Sequence, residues 1–336
     1  MSTNRRRTAR VPNAMCFRSA VCWIASALLL ATSALAQDYP SKPIRIVHGF
    51  TPGGPVDIIA RLMAAQFGER FGQQAIVEGK PGAGGTVGAN FVARSDADGY
   101  TLFLMASGHS TAPGLYKSLP YDAVEDFAMV SMLASSPFAI VTRPGSSFNT
   151  LQDLVQKARA EPGRVDIGTG GIGSGMHLVS VLFQSRLNIS LNHVPYKGGN
   201  APTLALLSGE IPIIFSSVAG ITPQVESGKM KILAVTTKKR FAAFPNVPTI
   251  AETAVPEFDA LAWYALAGPK KLPAPVMAKL NEAVHAALKR ADINEKLIAQ
   301  GAEPWPTTPR EAQAFLTSEV ARWTKAIRDA NIPPQN

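Results

Sequence analysis

Two glycine-rich turns, each between a strand and a helix, constrain this chain more than any other feature. The first lies in Ile44–Asp57, IRIVHGFTPGGPVD. Its apolar, β-branched start at Ile44 to Val47 breaks into Thr51-Pro52-Gly53-Gly54-Pro55. Ile59, Leu62, Met63, Phe67 and Phe71 then recur on one helical face. The first N–H groups of a helix have no partner inside it, and the macrodipole is positive there. Gly53 and Gly54 carry no Cβ, so a ligand oxygen can approach their amides closely. Pro55 suits the first turn because it has no N–H to leave unpaired. Such a turn is a site for a carboxylate or a phosphate, or else an ordinary tight turn. The device recurs. The short strand Val165-Asp166-Ile167 runs into Gly168-Thr169-Gly170-Gly171-Ile172-Gly173-Ser174-Gly175, and Leu178, Val181 and Leu182 follow on a helix. Two such turns, far apart in the chain, predict two lobes, each offering a helix start to an anion.

The first 36 residues read differently from the rest. Arg5, Arg6, Arg7, Arg10 and Arg18 form a basic head, Val21 to Leu35 is apolar and small, and Ala34-Leu35-Ala36 fits a cleavage site. This is the pattern of a secretory signal peptide cut before Gln37, the alternative being an N-terminal membrane anchor. A span needs about 20 apolar residues, and the run is shorter. Without the leader, formal charge falls from +9 to about +4, since five of the 33 basic residues leave and all 24 acidic ones stay. That removes most of the case for a nucleic-acid partner. Cys16 and Cys22, the two cysteines, also lie in the leader. A mature chain from Gln37 has no disulfide and no thiolate metal site. An exported, cysteine-free, soluble chain points to a bacterial periplasm.

Along the remaining 300 or so residues, enough for about two domains, strands alternate with helices. Strands are expected at Ala75-Ile76-Val77, Tyr100–Met105, Ile211–Phe215, Lys231–Thr237 and Ala260–Gly268. Such alternation argues a parallel α/β sheet, with ligands at the carboxyl ends of the strands. Ala106 to Thr111 reads as a polar strand end. Met129 to Arg143 is long, extended and interrupted near Ser135-Ser136-Pro137, so it is expected to leave one sheet and enter another. Helices are expected at Gly88–Ala93 and Leu151–Ala160. Two more close the chain, one lined by Val276, Leu280, Val284 and Leu288, the other by Ala312, Phe315, Leu316, Val320, Trp323 and Ile327. Trp263 and Tyr264 divide between core and cleft, in an order the pattern leaves open.

Several chemistries fail on these residues. Gly168, Gly170 and Gly173 satisfy G-x-G-x-x-G, but the next strand, Asn192-His193-Val194, lacks the acid a dinucleotide requires. Ser174 and His177 are three apart at a helix start, yet no G-x-S-x-G surrounds them and no acid orients the histidine. Ser174 reads better as an N-cap, with His177 at the cleft edge. The five histidines are scattered and no H-E-x-x-H occurs, so neither a metal nor a cofactor is expected. Asp57 either accepts N–H bonds within its own turn or is a plain first-turn acid.

Ordered motifs across the mature chain carry a resemblance. They are Tyr39-Pro40 with Lys42-Pro43-Ile44, Thr51-Pro52-Gly53-Gly54 with Asp57, and Pro81-Gly82-Ala83-Gly84-Gly85. Next come Asp98-Gly99-Tyr100-Thr101-Leu102, Tyr121-Asp122 with Asp126-Phe127, and His193-Val194-Pro195-Tyr196-Lys197-Gly198. Pro245-Asn246-Val247-Pro248-Thr249 with Glu252, and Gly301-Ala302-Glu303, complete the set. The chain resembles the substrate-binding proteins of tripartite tricarboxylate transporters, the Bug family. The resemblance implies an α/β, two-lobed periplasmic binding protein (type II) with two crossovers between lobes. Residues 37–142 and 236–336 would form lobe 1 and residues 143–235 lobe 2, with hinges near Thr142 and Thr236. It implies a monomer that captures a small carboxylate, aromatic and di- or tricarboxylic ones included, between its lobes. Membrane subunits of a tripartite transporter would receive the ligand. By the same resemblance, loop amides and water hold the carboxylate. The first loop supplies Phe50, Thr51, Gly53, Gly54 and Asp57, a strand end Ser107 and His109, and the facing lobe Thr169, Gly173, Ser174, His177 and Ser216. Family members commonly carry acids in the strand that here reads Ile211-Pro212-Ile213-Ile214-Phe215-Ser216. Their absence argues against an amino-acid ligand. The competing expectations are a sensory module that hands its ligand to a receptor, and an exported hydrolase using Ser174 or His177.

Overall fold

Ile44, Ile46 and Val47 are fully buried, and the run that holds them forms β1 (Ile44–His48). It pairs in parallel with β2 (Ala75–Gly79) and β3 (Thr101–Ala106). The structure is a computed structural model that describes residues 39–198, 200–330 and 332–335, so the expected signal peptide lies outside the described residues. The whole sheet lies within one compact unit that begins at Lys42.

The expectation for Met129–Arg143 holds. β4 (Phe127–Thr142) runs for 16 residues and changes partners on the way. On the far side, β5 (Asp166–Thr169) pairs in parallel with both β6 (Asn192–Pro195) and β7 (Ile213–Ser217). β8 (Lys231–Val235) follows, then β9 (Leu261–Pro269) and the short β10 (Glu303–Pro304). Up to Pro137, β4 lies antiparallel to β9; from Phe138 it lies antiparallel to β7 and β8. Pro137 cannot donate to a ladder, and it marks the change. The ten-stranded sheet runs β2-β1-β3-β9-β4-β7-β5-β6, with β8 and β10 paired to β4. The sheet is therefore mixed, not parallel throughout. Two parallel triplets are joined by an antiparallel pair, because β4 crosses between them and β9 runs back.

Local sequence explains most helices. Pro55–Phe71 starts on a proline and ends on Gly72 in the left-handed region. Leu151–Ala160 and Pro309–Asp329 begin with capping boxes, Thr150/Asp153 and Thr308/Glu311. The chain closes on three helices, not two. Ala274–Lys289 ends at Arg290, and Ala291–Ala299 follows directly. The second difference bears on the site: the segment after β3 is no loop but the helix Gly108–Leu115.

Separate cores cover the two sides. One gathers Val47, Phe103, Met105, Met132 and Trp263; another gathers Ile140, Ile167, Phe183, Phe215 and Leu233. Ile250, Phe258, Ala260 and Ala262 pack into the second, so residues that follow Thr236 still belong to its packing. Thr236 stitches the crossing. Its hydroxyl accepts from the Phe138 amide at 3.0 Å and donates to the Ala260 carbonyl at 2.7 Å. Phe183 lies fully buried against Phe215 and Phe258. Phe183→Ala should cost about 3–5 kcal/mol, read as a lower urea midpoint. A loss under about 1 kcal/mol would contradict this packing.

Candidate functional site

Three helices begin around one small cavity. The starts are Gly54-Pro55-Val56, Ser107-Gly108 and Ser174-Gly175-Met176, and all of these residues line it. Each follows a strand of a parallel triplet: β1, β3 and β5. Their first amides have no acceptor within the helix. Among the described residues, none accepts from the amides of Val56, Gly108 or Gly175. Phe138, Ser217, Ala262 and Tyr264 close the cavity, whose volume is about 40 Å³. Among the described residues, no charged side chain lines it.

The first turn is fixed by a buried carboxylate. Asp57 Oδ2 accepts from the Gly53 amide at 3.0 Å and from Arg61 Nε at 2.8 Å. Oδ1 takes His48 Nε2 at 3.2 Å. The Phe50 amide donates to His48 Nδ1 at 3.3 Å, which assigns the imidazole proton to Nε2. Asp57 thus accepts within its own turn and ties the floor of the loop to its tip. This corrects the expectation for Gly53: its amide is already taken, because the carboxylate four residues on reaches back to it. Gly54 remains at the cavity. Thr51 turns the other way, its hydroxyl donating to the Lys197 carbonyl at 3.2 Å.

The second turn is also self-bonded. Ser174 Oγ accepts from the His177 amide at 3.2 Å and donates to the Gly171 carbonyl at 2.7 Å, the N-cap arrangement expected of it. The Gly173 amide donates to His177 Nδ1 at 3.4 Å, so, against expectation, it too is already taken. His177 and His193 meet edge to face at 4.9 Å. Thr169 is fully buried at the end of β5, and its hydroxyl has no partner among the described residues. The Pro81–Gly85 segment approaches the second turn backbone to backbone, since a Cβ on Gly84 would stand 2.7 Å from the Gly173 carbonyl carbon.

Of the residues expected at the site, Phe50, Gly54, Ser107 and Ser174 line the cavity. Thr51, Gly53 and Gly173 lie in the turns that carry it, Thr169 ends β5, and Asp57 and His177 sit in the first turns of the helices that follow. His109 points elsewhere: the helix Gly108–Leu115 turns it into the core. There Nε2 bonds the Ala123 carbonyl at 2.8 Å and the ring stacks on Tyr121. Ser216 yields to Ser217, one residue on, because successive strand side chains face opposite ways. Trp263 is the core partner, its Nε1 donating to buried Glu319 at 3.3 Å. Tyr264 is the cleft partner, its hydroxyl donating to Ser217 Oγ at 3.0 Å. Burial pushes that phenol up to about 12, so it stays neutral. Met176, Phe138 and Ala262 had no signal in the sequence, as apolar residues look alike in a core and in a cavity wall.

Comparison with known proteins adds relatives. A family model described as "Tripartite tricarboxylate transporter family receptor" matches residues 59–332. Protein BugT of Bordetella pertussis is 35% identical over 302 residues, covering 89% of this chain and 93% of BugT. The solved structure of R. palustris Rpa4515 with adipate has a TM-score of 0.84 at 32% identity, covering 89% of this chain and 100% of the other. MatC from Rhodopseudomonas palustris with bound malate has a TM-score of 0.82 at 29% identity, covering 86% and 100%.

The buried imidazoles make stability depend on pH. Desolvation lowers His109 and His177 to about 4, against backbone attraction in the first and reinforced by His193 in the second. Desolvation also lowers His48. In the unfolded chain such groups take up protons near 6.5. Between the two values the unfolded chain holds more protons, so stability falls as pH falls. Asp57 acts in the same sense in more acid solution. Burial alone would raise its carboxyl, but Arg61, the Gly53 amide and His48 together hold it below the usual range. Its contribution is present above the unfolded value and is lost as pH falls through the folded one. Unfolding free energy, followed through Tm, should be level above about pH 7 and fall from about 6.5 toward 4, by at most about 1.4 kcal/mol per pH unit for each linked imidazole. His109→Phe should flatten the slope. A Tm unchanged between about pH 7 and 4.5 would contradict these burials.

Proposed function

The chain belongs to the tripartite tricarboxylate transporter receptor family, and we propose that it captures a small carboxylate between two lobes and presents it to the membrane subunits of such a transporter. As a family member it is a solute-binding protein of the periplasmic binding protein fold. One observation carries the carboxylate reading. Three helix starts converge on a cavity that no charged side chain lines. Free amides and aligned dipoles there favour a negative group. Each charge-assisted hydrogen bond contributes about 1.5–3 kcal/mol. A few of them reach the roughly 8 kcal/mol of micromolar binding after ordering costs. Adipate and malate, named for two structural relatives, are acids of this kind. The lack of an acid in the lining leaves an ammonium group without a partner, which favours a plain carboxylate over an amino acid.

The lobes would be residues 37–142 with the C-terminal part, and 143–235. Ile250 and Phe258 pack with Phe183, so the return passage would extend from Thr236 to Ala260. Closure follows from ligand contacts made to both sides at once. Export of the chain from residue 37 into the periplasm and action as a monomer complete the proposal. Catalysis is not part of it. Ser174 Oγ meets the His177 backbone amide, not the imidazole, and both its bonds serve the cap.

Isothermal titration of the protein from residue 37 tests the reading. Simple carboxylates should bind at micromolar affinity or better, while glutamate and aspartate bind at least about tenfold more weakly. Gly175→Ala should weaken the carboxylate by at least about tenfold, since its Cβ would enter the cavity within 2.8 Å of Ser107 Oγ. Tight glutamate binding with no response to simple carboxylates would defeat the proposal.

A further inference from the structure

The cavity wall carries a pair of hydroxyls with one proton to spare. Ser217 is the last residue of β7 and Tyr264 lies on β9, two strands that β4 separates in the sheet. Both side chains line the cavity, and the Tyr264 hydroxyl stands 3.0 Å from Ser217 Oγ. Each hydroxyl owns one proton and can also accept. The bond between them uses one of those protons. The phenol is the stronger acid and donates, so the proton left over is that of Ser217. Among the described residues, no other group bonds either hydroxyl. Ser217 is 1% exposed and Tyr264 3%, so solvent outside the cavity supplies no acceptor. Ser174, in the same wall, differs: it spends both its bonds on the helix cap. In folded proteins nearly every buried polar group has a partner. A hydroxyl proton without one, at the face of a cavity, calls for an acceptor brought from outside. The space is small as well. About 40 Å³ holds roughly three water-sized groups, so a group that enters lies against Ser217.

We propose that Ser217 is a ligand-binding residue: its hydroxyl donates to a carboxylate oxygen of the captured ligand, and Tyr264, bonded to it from β9, is the positioning residue that aims it. The inference rests on the carboxylate reading above and adds a side-chain donor to the helix-start amides. With the phenol donating to Ser217 Oγ, the serine proton is directed away from Tyr264 and into the space the ligand takes. Chained hydroxyls polarise one another, so the phenol strengthens the bond that Ser217 makes. In the proposed lobe division Ser217 belongs to lobe 2 and Tyr264 to lobe 1. A carboxylate held in this way touches both sides through one chain of hydrogen bonds.

The experiment is isothermal titration at neutral pH with succinate, malate, adipate and benzoate, each into the wild type, Ser217→Ala, Tyr264→Phe and the double variant. The ligand that the wild type binds most tightly should bind Ser217→Ala about tenfold or more weakly, at unchanged stoichiometry, through loss of one charge-assisted hydrogen bond. Tyr264→Phe keeps the ring and removes only the donor, and it should weaken the same ligand by about threefold. Beside Ser217→Ala it should weaken it no further, because Tyr264 acts through the serine. Stoichiometry and Tm guard against a damaged variant: a merely structural role lowers the active fraction and Tm and leaves Kd in place. Binding to Ser217→Ala within about threefold of the wild type, at full stoichiometry, overturns the assignment and leaves carboxylate capture standing. Equal losses from Tyr264→Phe with and without the Ser217 hydroxyl overturn the positioning role. A wild type that binds none of these acids overturns the carboxylate reading, and the assignment falls with it.

Discussion

A helix cannot satisfy its own first amides, and the proposed site is built on that defect. Three strands of the parallel triplets, β1, β3 and β5, each end in a turn and a helix start, and the three starts face one cavity. Nothing else of comparable electrostatic strength is present, since the lining carries no charge. Neutral walls are what make the amides count. A lysine there would bind any anion in water, whereas oriented dipoles in an apolar setting act over short distances and demand a fitted shape.

Keeping such a site open requires that the protein not consume its own donors. The first turn shows how finely this is divided. Asp57 takes the Gly53 amide and leaves the Gly54 end of the turn at the cavity. The same carboxylate, through His48, sets the Phe50 amide and so the placement of the ring above. Arg61 balances the buried charge from the next helical turn. The second turn follows the same logic with neutral groups: Ser174 caps the helix through the His177 amide and leaves Gly175 uncommitted. Rigid loops on a fixed sheet reduce the ordering cost of binding. The backbone contact of Gly84 with Gly173 leaves no space for a side chain between the Pro81–Gly85 segment and the second turn.

The proposed capture has a second requirement, that the sides move as units, and the crossing strands suit it. β4 serves both triplets in one continuous run, and Thr236 links Phe138 to Ala260 where the passages meet. Each side keeps its own buried core, so a change in angle between them costs few apolar contacts within either. On such a frame the proposed two-sided site would couple ligand contact to closure.

Much of this was readable from the chain alone. Strand, glycine turn and helix start at Ile44–Asp57 follow from β-branched residues, Pro-Gly-Gly and a 3.6-residue apolar period, all of them local. The partner change in β4 showed as a long apolar run broken by Ser135-Ser136-Pro137. The Ser174 cap and the family itself were likewise legible in short motifs. Facing was not. His109 sits beside Ser107 in the sequence, yet one residue into a helix that the polar string Ser107–Thr111 did not reveal, and the turn of that helix sent it to the core. Ser216 and Ser217 differ by one position and therefore by opposite sides of a strand. Trp263 and Tyr264 are equivalent by composition, and the buried Glu319 decided which one belongs to the core. Whether the Gly53 amide was free depended on where a carboxylate four residues away pointed. Local order fixed which elements form, because backbone preference acts over a few residues. Tertiary packing alone decided which side chains meet across the cleft, because that is settled by elements more than a hundred residues apart.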